Sequence, residues 1–154
     1  MTFTAGSNRV LRGAAAAALA TAAAIISPLA LPAANAAGCN DIEVVFARGT
    51  DEPPGIGRVG QAFVDSLRGK VGNRSLGVYA VNYPASYDFL AAANGANDAS
   101  AHIQYVMNTC PDTRLVLGGY SQGAAIVDVI TSVPFPAIGF NNPLPPDAPD
   151  HIAA

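Results

Sequence analysis

The segment Arg114-Leu115-Val116-Leu117-Gly118-Gly119 runs without a break into Tyr120-Ser121-Gln122-Gly123, and an apolar, alanine-containing stretch leaves directly after it. A Gly-x-Ser-x-Gly pattern is weak by itself in a glycine-containing chain. Flanked in this way it is demanding. A strand must become a helix with no loop between, and the serine must sit on the strained turn with its hydroxyl above the sheet. A sheet whose strands are followed by helices can host such a turn. Small residues are needed on both sides so that the backbone passes close to its neighbours, and Gly119, Gly123, Ala124 and Ala125 meet that need. The N–H of Gln122 then lies at a helix N-terminus, without an intrahelical partner, where it can donate to an oxyanion. The bland alternative is a turn serine between two glycines.

The rest of the chain fits the same plan. Ile42 to Ala47 is rich in β-branched and aromatic residues and reads as a strand. Ile56, Val59, Phe63, Leu67 and Val71 recur at helical spacing, and Gly72-Asn73 stops that helix. Leu76 to Tyr83 reads as a second strand ended by Pro84, and Asn97 to Thr109 as a helix with Asn97 or Asp98 as N-cap. Arg114 to Gly119 is a third, short strand, and Gln122 to Thr131 the helix after it. The six prolines between Pro134 and Pro149 make that segment loop or extended chain. Strands this apolar, alternating with helices, predict a parallel sheet covered on both faces.

The first 36 residues read separately. Arg9 and Arg12 form a basic start, Ala14 to Ile26 is an uncharged apolar stretch, and Ala34-Asn35-Ala36 supplies small residues for a peptidase. This is the pattern of a secretory signal peptide cleaved after Ala36, leaving residues 37–154 as one domain. A transmembrane anchor from Val10 to Leu31 is the rival, against which Pro28 and Pro32 count. The expected location is therefore extracellular, with cell-wall association as a further option. Export permits disulfides, and the two cysteines, Cys39 and Cys110, read as one bridge. Lipidation of Cys39 after Ala36-Ala37-Gly38 is the alternative.

Beyond residue 36 there are six basic and eleven acidic groups, a net charge of −5, and a single lysine, Lys70. That excludes a nucleic-acid binder, which needs clustered cations, and a polybasic membrane patch. Stable membrane insertion is not expected. Two histidines and two cysteines are too few and scattered for a metal site, and no cofactor motif stands out. Gly55-Ile56-Gly57-Arg58-Val59-Gly60 matches a dinucleotide fingerprint in spacing, but it follows Pro53-Pro54 rather than a strand and is read as coincidence.

Taken in order, Cys39, Val45-Phe46-Ala47-Arg48-Gly49-Thr50-Asp51-Glu52, Val81-Asn82-Tyr83-Pro84-Ala85, Cys110-Pro111-Asp112-Thr113 and Gly118-Gly119-Tyr120-Ser121-Gln122-Gly123-Ala124 resemble the cutinase family, in particular the cutinase-like serine esterases of mycobacteria and related actinobacteria. The resemblance covers the chain from about Gly38 to its last residue. It implies a small three-layer α/β-hydrolase fold with a parallel sheet, Ser121 as nucleophile, Thr50 and Gln122 as the oxyanion hole, and a Cys39–Cys110 disulfide. It implies an ester or lipid substrate; no cofactor is expected, and the complete protein is expected to be a monomer. The aromatic loop Tyr87-Asp88-Phe89-Leu90 falls where such enzymes place one wall of the acyl cleft; packing of one aromatic into the core is the alternative reading.

A serine of this kind needs a histidine base and a carboxylate to orient it, which in this fold follow the nucleophile in the chain. Asp128, Asp147, Asp150 and His151 are the available candidates. Asp128 falls on the helix after the turn, Asp150 and His151 are adjacent, and Asp147 with His151 is the only conceivable pair. His102 precedes Ser121 and reads as a surface or packing histidine. The expectation is an α/β-hydrolase domain incomplete at its C-terminus, with a fourth strand beginning at His151-Ile152-Ala153-Ala154, and with esterase activity impaired for want of the acid and base. The reading from a different class is a non-catalytic secreted or surface protein, a decayed homologue; acyl transferase or phospholipase chemistry is a narrower variant of the first.

Overall fold

Ile42–Ala47 forms strand β1, and five of its six residues are buried, as a strand covered on both faces requires. It is the middle strand of a parallel three-stranded sheet in the order β2-β1-β3, with β2 at Leu76–Ala80 and β3 at Arg114–Gly119. The register pairs Ile42 with Leu76 and Arg114, and Ala47 with Gly119, so the three strands end together at one edge. These are features of a computed structural model that describes residues 1–2 and 38–153. The expected signal peptide, apart from Met1 and Thr2, lies outside the described residues.

Side chains alternate across a strand, and β1 serves two cores accordingly. Val45 and Ala47 pack with Ala96, Ile103, Leu115, Ile126 and Phe140 on one face. Val44 and Phe46 pack with Val64 on the other. The first core is built by α2 (Ala92–Thr109) and α3 (Gln122–Ser132), the second by α1 (Gly57–Arg68). This is the expected three-layer arrangement.

Three expectations are corrected. The second strand stops at Ala80 rather than Tyr83: one further ladder bond, Val81 N–H to Phe46 C=O at 3.0 Å, is made before the chain turns away. Helix α1 is shorter than the apolar spacing predicts, because Gly69 closes it ahead of Val71. Helix α2 starts five residues earlier than Asn97, after a 3-10 turn at Phe89–Ala91 capped by Asp88. Asn97 and Asp98 are not caps. Asn97 clamps the proline-rich segment through Gly139 C=O and Asn141 N–H, both at 2.8 Å. Asp98 accepts from Tyr79 O–H at 3.0 Å and Asn82 N–H at 2.8 Å.

The proline-rich segment stays largely extended and is anchored by Phe140, which is fully buried. It ends in a single turn, α4 (Ala148–His151), after which Ile152 pairs with Leu115 in parallel and Ala153 N–H reaches Leu115 C=O at 2.8 Å. Pairing beside β3 thus begins at Ile152; His151 closes the preceding turn. Cys39 and Cys110 form a disulfide with their Cα atoms 5.6 Å apart, which excludes lipidation of Cys39. It staples the lead into β1 to the end of α2.

Candidate active site

Ser121 sits at φ 53°, ψ −116°, separated from the end of β3 by Tyr120 alone and directly before the first residue of α3. A side-chain-bearing residue holds such a backbone at a cost of about 1–3 kcal/mol and only where the surroundings enforce it. They do so here by close approach. Tyr120 N–H donates to Ala47 C=O at 3.1 Å, tying the turn to the end of β1. A β-carbon on Gly119 would collide with the backbone of Gly123, and one on Gly123 with the carbonyls of Ala47 and Arg48. The glycines are therefore what let the start of α3 lie against the end of β1, and the Ser121 side chain is left exposed at the sheet edge.

That contact brings Gln122 to the loop after β1. Thr50 Oγ1 donates to Gln122 Oε1 at 3.3 Å, and Gln122 Nε2 donates to Ser86 C=O at 3.0 Å. The Gln122 side chain is buried and acts as a strut between two loops; its N–H, at the first position of α3, has no intrahelical acceptor. Thr50, Ser121 and Gln122, the residues singled out in the sequence, are thus gathered at one edge of the sheet.

A second network, which the sequence did not reveal, holds the loop. Arg48 is only 5% exposed. Its guanidinium donates to Glu52 C=O at 2.8 Å, Tyr83 C=O at 2.6 Å and Val81 C=O at 3.4 Å, and lies 5.0 Å from the centre of the Tyr83 ring. The Tyr83 O–H donates back to Arg48 C=O. Burial raises the Tyr83 pKa, so it remains a donor. The Glu52 carboxylate accepts from Gly49 N–H at 2.7 Å and Arg58 N–H at 3.0 Å. These two bonds, Gly49 first, hold its pKa below the ordinary value. The Gly55–Gly60 spacing has its explanation here. Gly57 (φ +70°) leaves its β-carbon space to the Glu52 carboxylate, and a β-carbon on Gly60 would meet the Phe46 ring at 2.7 Å. The pattern serves packing, not a dinucleotide.

The histidines lie elsewhere. His102 Nε2 is bonded to Glu43 Oε1, and its ring stacks on Tyr79 with centroids 3.5 Å apart. Burial, then Asp98, pushes the Tyr79 pKa up to about 12. Glu43 is in register with Leu115, four residues before Gly119, so this cluster is about 13 Å down the strands from the serine edge. His151, Asp150 and Asp147 belong to the same far end, where Arg114 binds the carbonyls of Asp150 at 2.5 Å and Ile152 at 3.2 Å. Asp128 is an exposed residue of α3. Asp147 with His151 is therefore not brought to Ser121. Among the described residues no group of three metal-ligating side chains forms, and no helix is long and apolar enough to cross a membrane.

Beside the serine edge an apolar groove of about 310 Å³ is lined by Phe89, Leu90, Ala93, Ile126, Val129 and Ile138, with Gln122 at its end. Phe89 and Leu90 form a wall of it while remaining 61% and 73% exposed, and Tyr87 is 75% exposed. The aromatic loop contributes no ring to the core. A cavity of about 440 Å³ lies at the opposite end of α3, around Ile130, Val133, Leu144 and Ile152.

Residues 38–154 match the family model for cutinase. The chain belongs to the cutinase family. Among its relatives, it is 62% identical over 150 residues to the phospholipase Culp4 of Mycobacterium tuberculosis, an alignment covering 97% of this chain and 66% of that protein. It is 53% identical over 154 residues to the probable carboxylesterase Culp2 of Mycobacterium bovis, covering 96% and 65%. Among solved structures it resembles a Trichoderma reesei cutinase bound to a phosphonate inhibitor, with 43% identity, a TM-score of 0.55, and coverage of 62% of this chain and 45% of the other. It also resembles the catalytic core of a Trichoderma reesei acetyl xylan esterase, with 31% identity, a TM-score of 0.62, and coverage of 75% and 61%. The chain thus spans about two thirds of the length of these mycobacterial relatives. The parallel sheet with helices on both faces is the small α/β-hydrolase fold of cutinases.

Proposed function

We propose that this cutinase-family chain acts in carboxylic-ester hydrolysis, with Ser121 as nucleophile. The observation that carries the reading is the enforced positive-φ turn at Ser121, between β3 and α3, with Thr50 held against Gln122 beside it. Ser121 Oγ attacks the ester carbonyl, and the negative oxygen that develops is met by the free N–H of Gln122 and by Thr50. The tetrahedral intermediate collapses with loss of the alcohol, leaving an acyl-enzyme that water cleaves by the same route. The apolar groove at Gln122 suits a short to medium acyl chain. The identities to a phospholipase and a carboxylesterase support ester or lipid substrates, and the pattern of residues 1–36 supports export before action outside the cell, free or at the cell wall.

Proton transfer is the weak point of residues 38–153. His102 is committed to Glu43, and His151 lies at the far end of β3. We therefore expect these residues alone to hydrolyse esters slowly, through oxyanion stabilisation without an oriented base. This same observation favours the second reading, a non-catalytic secreted homologue. The purified chain assayed on p-nitrophenyl esters of increasing acyl length separates the two. A rate above background that Ser121→Ala removes supports the hydrolase; hydrolysis unaffected by Ser121→Ala, or none at all, supports the other.

A further inference from the structure

Glu52 has no part in the reaction just described, yet its carboxylate is the hub of the loop that carries Thr50. One oxygen accepts from Gly49 N–H at 2.7 Å and the other from Arg58 N–H at 3.0 Å. Its own backbone closes the turn, with Glu52 N–H on Gly49 C=O at 3.3 Å and Glu52 C=O accepting from Arg48 at 2.8 Å. The second residue of α1, Arg58, presents its N–H where a helix favours negative charge. Gly57, at φ +70°, vacates the space in which the carboxylate lies. Two elements far apart in function are thus shaped around one anion.

We infer that Glu52 is the positioning residue of the oxyanion loop, fixing the Gly49–Thr50 peptide between α1 and the serine turn. The inference rests on the reading of Ser121 and Thr50 given above. Thr50 lies between two anchors. On one side Arg48 is tied to Val81 and Tyr83. On the other, Glu52 is tied to Gly49 and α1. Gly49 is also pressed against the Tyr120 ring, where a β-carbon would come within 2.8 Å. With both anchors in place the donors are organised before substrate arrives, which is the condition for an oxyanion hole to lower a barrier. Released from Glu52, the peptide gains freedom, and a displacement on the order of 1 Å is worth about 10²-fold in rate.

The test compares the whole chain with Glu52→Gln, and with Asp65→Asn on the exposed face of α1 as control. Glutamine offers a single acceptor oxygen, so it keeps one of the two N–H bonds at most. Two quantities are read: hydrogen exchange of the Gly49 and Arg58 amides, and the Ser121-dependent rate on p-nitrophenyl butyrate, taken as the difference from Ser121→Ala. The expected result is at least tenfold faster exchange at one of the two amides. With it come a fall in Ser121-dependent kcat of about 10- to 100-fold, KM within about twofold of the parent, and a control that matches the parent. If Glu52→Gln fails to fold, Glu52→Asp, which keeps the charge but draws the carboxylate back by one methylene, is read in the same way. Unchanged exchange at both amides, or unchanged kcat, overturns the inference, as does a loss confined to KM. A chain with no Ser121-dependent rate sinks the hydrolase reading instead, and the exchange measurement then decides the positioning role alone.

Discussion

At Ser121 the chain accepts a backbone that costs about 1–3 kcal/mol, and what enforces it is the absence of side chains around it. Replacing Gly123 by alanine drives a methyl into the carbonyls of Ala47 and Arg48. The expected loss of stability is about 3 kcal/mol or more, since backbone on both sides leaves nowhere to relax; urea denaturation measures it. Glu52 gives a pH dependence whose sign follows from its hydrogen bonds. Its folded pKa is held below the ordinary carboxylate value, so its contribution is complete above that ordinary value and is lost as pH falls through the lower, folded one. As pH falls below the ordinary carboxylate range, the stability of the parent chain is therefore expected to drop more steeply than that of Glu52→Gln, as urea denaturation at a series of pH values measures. The histidines give a third expectation. If neither serves Ser121, His102→Gln and His151→Gln each leave the Ser121-dependent ester rate within about twofold of the parent. A loss of tenfold or more in either identifies a base that the geometry does not allow.

The elements were legible where local signals and burial agree. Strands β1 and β3 fall where the apolar runs place them: β1 is buried at five of its six positions, and β3, where Leu115 alone is buried, keeps the unbroken apolar run Leu115 to Leu117. Local patterns misled where long-range bonds decide. Asn97 and Asp98 have the chemistry of caps but are spent on Gly139, Asn141, Tyr79 and Asn82, so α2 continues back to Ala92. The Arg48–Tyr83 pairing joins residues 35 apart in sequence, and nothing in either neighbourhood announces it. Gly57 and Gly60 were visible as a spacing but not as hollows for Glu52 and Phe46, since a glycine does not say what fills its missing side chain. The pair Cys39 and Cys110 was readable because an even count, beside the secretory pattern of residues 1–36, leaves few options. Their bridge spans 71 residues, and the chain-entropy model gives it about 4 kcal/mol. Reduction is expected to lower the urea midpoint accordingly, and an unchanged midpoint would show that the unfolded chain gains little freedom when the bond is opened.

At the scale of the whole molecule, three layers bring the ends of the parallel strands to one edge, and that edge carries Thr50, Ser121, Gln122 and the mouth of the apolar groove. The opposite edge carries His102, Glu43 and the start of pairing at Ile152. Ser121, Thr50 and Gln122 are thus separated from both histidines by the length of the sheet, which sequence order alone did not convey for His151. The most direct measurement is the rate at which the purified chain hydrolyses p-nitrophenyl butyrate, with and without Ser121→Ala. The expected result is a slow rate that the substitution abolishes, well below the roughly 1–10³ s⁻¹ of working enzymes. A rate indifferent to Ser121→Ala would contradict the assignment of the nucleophile, and a Ser121-dependent rate in the enzymatic range would contradict the absence of a base among residues 38–153.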